Sequence, residues 1–105
     1  MNVVETKVAK GKKGLLIDDD DALRDSLSEQ LRLHEEFVTT ESASAADALE
    51  ITKTEYFDAI LLDVGLPDMD GREACRLMRR NGVKSPIIML TGHDTDADQI
   101  LGLDA

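Results

Sequence analysis

Ile60-Leu61-Leu62-Asp63-Val64-Gly65-Leu66-Pro67-Asp68-Met69-Asp70-Gly71 joins an apolar run, a carboxylate and a cluster of turn formers. The continuous apolar stretch Ala59 to Leu62 fits a strand covered on both faces, and Asp63 ends it. Gly65 to Gly71 reads as a loop, because glycine, proline and aspartate each favour turn geometry. Ala74, Cys75, Leu77 and Met78 then recur as one face of a helix, and Asn81-Gly82 supplies its stop.

The same unit repeats on either side. Upstream, Leu15-Leu16-Ile17 forms a strand over roughly Lys13 to Ile17, which Asp18 to Asp21 end abruptly. Leu23, Leu27 and Leu31 predict a helix over about Asp21 to His34 with that stripe inward and an acidic first turn at the positive end of its dipole. Phe37 to Thr40 is a short second strand. Ser44 or Ser42 caps the next helix, whose body is Ala45, Ala46, Ala48, Leu49 and Ile51. Downstream, Pro86 introduces a fourth strand, Ile87 to Leu90, stopped by Thr91-Gly92. Asp94 to Leu101 reads as a helix, and Gly102 to Ala105 as an ending without a closing strand. Residues 1–12 lack sustained periodicity and read as a flexible leader to a single domain over residues 13–105.

Strands alternating with helices predict an α/β fold with a doubly wound parallel sheet. Such sheets gather ligands at the carboxyl ends of their strands. Asp18 and Asp19 end the first strand, Asp63 the third and Thr91 the fourth, so residues far apart in sequence meet at one edge. Converging carboxylates repel and take up protons unless a cation compensates, and a hard, oxygen-seeking ion such as Mg2+ suits them. An aspartate beside that ion can attack phosphorus, and the Thr91 hydroxyl can offset charge on the transferred group. Four adjacent aspartates also suit an ordinary solvated helix start. The strand-end residues Asp63 and Thr91 weigh against that for Asp18 and Asp19, and leave Asp20 and Asp21 as caps or solvated charge.

Composition narrows the functions further. The chain has 105 residues, 42% of them hydrophobic, and a formal net charge of -10. Such an acidic surface repels phosphate backbones and disfavours direct DNA binding. Phe37, Tyr56 and Phe57 are its three aromatics, which disfavours base stacking. One cysteine, Cys75, excludes an internal disulfide and reads as a small packing residue. No signal-like or spanning segment is evident, so the expected location is the cytoplasm, with no membrane partner. Arg72, Arg76, Arg79 and Arg80 read as a solvated stripe, and His34 as a solvated helix-end residue. His93 lies near Thr91, where it can tune access.

From Lys13 to the end the sequence resembles the receiver domains of two-component response regulators. The likeness rests on Leu15-Leu16-Ile17-Asp18-Asp19-Asp20, the stretch Ile60 to Gly71, and Ile87-Ile88-Met89-Leu90-Thr91-Gly92, with 44 residues from Asp19 to Asp63 and 28 from Asp63 to Thr91. The resemblance implies a flavodoxin-like sheet of strand order 2-1-3-4, with the family's fifth strand and fifth helix missing. It makes Asp63 the phosphoacceptor and Thr91 the switch hydroxyl. Asp19 would be a direct Mg2+ ligand, Asp18 a ligand through water, and the Gly65 carbonyl a further ligand.

It also implies a sensor histidine kinase as phosphoryl donor, a possible homodimer, and control of an output such as transcription, with DNA bound only through a separate output domain. The domain would assist its own modification without being a turnover enzyme. A phosphorylation-independent docking or dimerisation module is the alternative. A small phosphatase is disfavoured because no second acid/base residue is evident beside Asp63. Ending before the family's fifth strand, which carries a lysine, the chain is expected to expose the fourth strand as an apolar edge prone to pairing.

Overall fold

The computed structural model describes residues 11–35, 37–90 and 100–104. Among these described residues five strands form one sheet in the order β2-β1-β3-β4-β5: β1 is Lys12–Ile17, β2 Phe37–Ser42, β3 Ala59–Asp63, β4 Ile87–Leu90 and β5 Ile100–Asp104. The first four run parallel in the expected order 2-1-3-4. The expected leader falls mostly outside the described residues, but Lys12 already belongs to β1.

Three helices connect the parallel strands: α1 (Asp21–Gln30), α2 (Ala45–Thr54) and α3 (Gly71–Arg80). Ser44, not Ser42, caps α2, its hydroxyl accepting from the Asp47 N–H at 3.1 Å. Ser42 instead donates to the Ser44 carbonyl. At the end of α3, Asn81 is the cap and Gly82 adopts φ 95°, a left-handed turn that glycine enters without steric penalty. Among the described residues no helix is long and apolar enough to cross a membrane.

The main core lies between one face of the sheet and helices α2 and α3. Leu15 and Ile17 from β1, Ile60 and Leu62 from β3 and Ile87 from β4 meet Ala45, Ala48, Ala74, Cys75 and Met78, with Phe57 beneath. Cys75 thus packs as expected. Burying a large aliphatic side chain contributes about 1.5–3 kcal/mol, so this layer supplies much of the fold's stability. By strand alternation Leu16, Leu61 and Ile88 fall on the other face, where they are register neighbours across three strands.

Helix α1 departs from expectation. Leu23, Leu27 and Leu31 are only half-buried, and the helix contains no fully buried residue. It stops at Gln30 and passes into a π-helical turn over Leu31–Glu35. Polar contacts fasten it instead. Arg24 pairs with Glu41 of β2 at 3.1 Å, and the hydroxyls of Ser28 and Thr39 are hydrogen-bonded.

Two further expectations need correction. No parallel fifth strand follows β4 among the described residues, as expected, but the end of the chain is not without a strand: β5 runs antiparallel to β4, with Ile88 opposite Leu103 and Ile87 opposite Asp104. Ile100 and Leu101 therefore lie in a strand rather than a helix, and the rest of the expected helix is outside the described residues. The reason is the backbone of β4, whose outer N–H and C=O groups need partners, and an antiparallel segment can provide them. Arg79 is not a purely solvated member of the arginine stripe. Its Nη1 donates to the carbonyls of Val83 and Ser85 at 3.0 and 2.7 Å, fastening the turn between α3 and β4.

Candidate phosphoacceptor site

The parallel register builds the acidic site. Ile17 is paired with Leu62, so the next residues, Asp18 and Asp63, emerge side by side at the carboxyl edge. Asp63 is itself paired with Leu90, the residue that precedes Thr91 in sequence. Thr91 and His93 lie outside the described residues.

Asp18 and Asp63 are buried, with 1% and 0% exposure, whereas Asp19 is exposed. One carboxylate oxygen from each of the three can be chosen so that all lie within 4.8 Å of one another. At that separation, two negative charges repel by roughly 3.5 kcal/mol at an effective dielectric of about 20. Burial pushes the Asp18 carboxyl above the usual carboxylate range. An N–H donated by Asp20 opposes this, while the charges of Asp63, Asp19 and Asp20 add to it. Asp18 Oδ1 accepts that Asp20 N–H at 2.9 Å, but the buried Oδ2 has no hydrogen-bond partner.

An orphaned buried carboxylate oxygen beside two more carboxylates fits a hard divalent cation, which would replace the missing partner and cancel the repulsion. Gly65 belongs to the same site: its N–H donates to Asp63 Oδ1 at 3.2 Å.

The surrounding residues fix these groups in place. Asp20 caps α1 by accepting the Leu23 N–H at 3.0 Å, so the acidic run divides between a site and a helix start. Arg24 Nη1 donates to the Asp18 carbonyl at 2.5 Å, while Nη2 reaches Asp21 at 2.6 Å. After Asp63 the loop closes on itself. Val64 N–H donates to Leu90 O, Gly71 N–H donates to Val64 O at 2.8 Å, and Gly65 and Asp70 form an antiparallel bridge. Asp70 caps α3 by accepting the Arg72 N–H.

Sequence reasoning overlooked two residues, Arg24 and Asp68. Both carboxylate oxygens of Asp68 accept backbone N–H groups of α2, from Ala45 and Ala46, each at 3.0 Å. Those bonds hold the Asp68 carboxyl below the usual range.

The family model of the response regulator receiver domain matches residues 15–105. The transcriptional regulatory protein AfsQ1 of Streptomyces coelicolor is 43% identical over 91 residues, covering 87% of this chain and 40% of its own length. The response regulator MprA of Mycobacterium ulcerans is 40% identical over 92 residues, covering 87% of this chain and 39% of its own length. The chain thus spans about 40% of the length of the curated relatives it matches.

Among solved structures, the receiver domain of the sensor histidine kinase PA1611 from Pseudomonas aeruginosa has a magnesium ion coordinated in its active-site cleft. It aligns with a TM-score of 0.73 at 31% identity, covering 83% of this chain and 72% of that one.

Proposed function

The chain belongs to the response regulator receiver domain family, and on that premise we propose that it accepts a phosphoryl group on Asp63 from a sensor histidine kinase. The observation that carries this reading is the burial of Asp63 at a strand end beside Asp18 and Asp19. Asp19, Asp63 and the Gly65 carbonyl would hold Mg2+, with Asp18 acting mainly through a bound water and the Thr91 hydroxyl serving as the switch group, as the family pattern suggests. The bound ion supplies electrostatic stabilisation of charge on the transferred phosphoryl oxygens.

The protein's own work is positioning. Asp63 presents one carboxylate oxygen to phosphorus while its Oδ1 is steered by the Gly65 N–H. An oxygen–phosphorus bond forms as the phosphorus–nitrogen bond of the donor phosphohistidine breaks. The electron pair of that bond stays on the imidazole nitrogen, which takes up a proton. The product is an acyl phosphate on Asp63. The Thr91 hydroxyl would then donate to it, altering the loop that follows β4.

Similarity to transcriptional regulators supports control of transcription as the output of the whole protein, through a DNA-binding domain outside this chain. A sensor kinase is the expected partner and the cytoplasm the expected location.

Incubating the protein with a small phosphodonor, with and without Mg2+, tests the reading by intact mass. The expected result is one added phosphoryl group that requires Mg2+, is lost in hydroxylamine, and maps to Asp63. Acid-stable phosphate, or uptake at another residue, would overturn it.

A further inference from the structure

The loop after Asp63 is anchored at two ends, and the two anchors differ. At its base it is closed by the Gly71 N–H to Val64 carbonyl bond and the Gly65–Asp70 bridge. Leu66 turns into the core, with 7% exposure. Beyond Leu66 the chain returns to the surface at Pro67 and Asp68. There Asp68 clasps the start of α2, across 23 and 22 residues of sequence, through the two hydrogen bonds it accepts from Ala45 and Ala46.

Those amides belong to the first turn of α2, where backbone donors have no partners inside the helix. Ser44 satisfies the Asp47 N–H from within the helix's own sequence, so α2 already has a local cap. Asp68 supplies the rest from the loop that also carries Gly65. A carboxylate bonded to two N–H groups at a helix N-terminus gains from the dipole as well as from the bonds.

We propose that Asp68 is a positioning residue which couples the acidic site to the N-terminus of α2: it fixes the tip of the Gly65 loop, so that cation binding at Asp18, Asp19 and Asp63 tightens the first turn of α2. This rests on reading those three aspartates as a Mg2+ site. Gly65 contacts Asp63 directly and lies three residues before Asp68, with the buried Leu66 between them as a pivot. Movement of the loop at the site is therefore transmitted to the α2 amides. Coupling of this kind is reciprocal: whatever α2 contributes to cation affinity, the cation returns to the helix.

A helix cap with no role in the site would show the same bonds, so the test compares two ways of weakening α2. Asp68→Ala removes the clasp. Ser44→Ala removes the local cap and leaves the loop untouched. Asp68→Asn, which keeps one acceptor oxygen, provides a milder variant if the alanine form does not fold.

Titration of the full chain with MgCl2, followed by NMR amide shifts, should give a dissociation constant raised about tenfold in Asp68→Ala, less in Asp68→Asn, and within about twofold of the parent in Ser44→Ala. In the parent, Mg2+ should also slow hydrogen exchange of the Ala45 and Ala46 amides, an effect reduced by the Asp68 variants and kept by Ser44→Ala. Equal Mg2+ affinities in the parent and both Asp68 variants would overturn the coupling alone, as would a loss in Ser44→Ala matching that in Asp68→Ala. A parent chain that binds no Mg2+ would overturn the site reading and the coupling together.

Discussion

Replacing Gly71 with alanine is expected to destabilise the fold by about 3 kcal/mol, at the upper end for a residue that gains a single methyl group. A Cβ at this position would stand 2.3 Å from the Asp63 carbonyl oxygen and 2.7 Å from the Val64 Cα. Both are backbone atoms, so no side chain can swing aside to relieve the clash. The first turn of α3 would have to retreat from β3, breaking the 2.8 Å bond from Gly71 N–H to Val64 O and disturbing Met78 and Cys75 in the core.

A domain of this size has roughly 5–15 kcal/mol of net stability, so the loss would be a large fraction of it. Urea unfolding measures it directly. A change below about 1 kcal/mol would show that the helix start yields more easily than this packing implies. Because the displaced atom is the carbonyl of Asp63, the proposed acceptor, phosphoryl uptake should fall even in conditions where the variant remains folded.

The second large effect separates two aspartates that occupy adjacent strand ends. Asp63→Asn should abolish acyl phosphate formation, since a neutral amide is a poor nucleophile toward phosphorus. Asp18→Asn should leave the nucleophile in place but lower Mg2+ affinity by at least about tenfold, because a buried anionic oxygen is lost. In the absence of Mg2+, that same substitution should stabilise the protein by about 1 kcal/mol, since it removes an unpartnered buried carboxylate oxygen from a repulsive cluster.

The sign has a pH signature. The folded-state proton affinity of Asp18 is raised, so between its unfolded and folded pKa values the native state holds more protons. Stability therefore falls as pH rises through that window. The advantage of Asp18→Asn should be full above the window and shrink as the pH drops through it. Denaturation with and without Mg2+ across the acid range checks this. A variant less stable than the parent at neutral pH without the ion would contradict the picture of a strained acidic cluster.

Much of this site is legible in sequence because it is made by strand ends. Leu15 to Ile17 and Ala59 to Leu62 are apolar runs closed by carboxylates, and a parallel sheet brings such ends together whatever lies between them. The helix end at Asn81-Gly82 is legible for a related reason, since capping is a local event, whereas the start of α2 is legible only to within Ser42 or Ser44, because either hydroxyl could serve as the cap.

Asp68 was hidden because its partners, the Ala45 and Ala46 amides, are contributed by another element and depend on how the loop folds over Leu66. Arg24 sits inside a helix pattern as one more charge, and only the register of β1 and β2 brings Asp18 and Glu41 within its reach. Strand β5 was missed because Asp94 to Leu101 has helical spacing, whereas pairing along β4 is a demand of the sheet edge rather than of the segment. The stripe of α1 was read correctly as a stripe, but periodicity indicates which side is apolar and not how completely it is covered.

The polar fastening of α1 also governs how the molecule breathes. Since no residue of this helix is fully buried, its separation from the sheet should uncover less apolar surface than loss of the α2–α3 layer, chiefly from its half-buried leucines and from Leu16 on the opposite sheet face, and carry a smaller heat-capacity change. Such an opening should respond less to urea, which acts in proportion to the area exposed, than global unfolding does, and should also respond to ionic strength, which loosens Arg24 from Glu41 of β2. Helix α1 is thus the element expected to open first while β1, β3 and their α2–α3 layer stay closed, and added salt should favour that opening by weakening the Arg24–Glu41 pair.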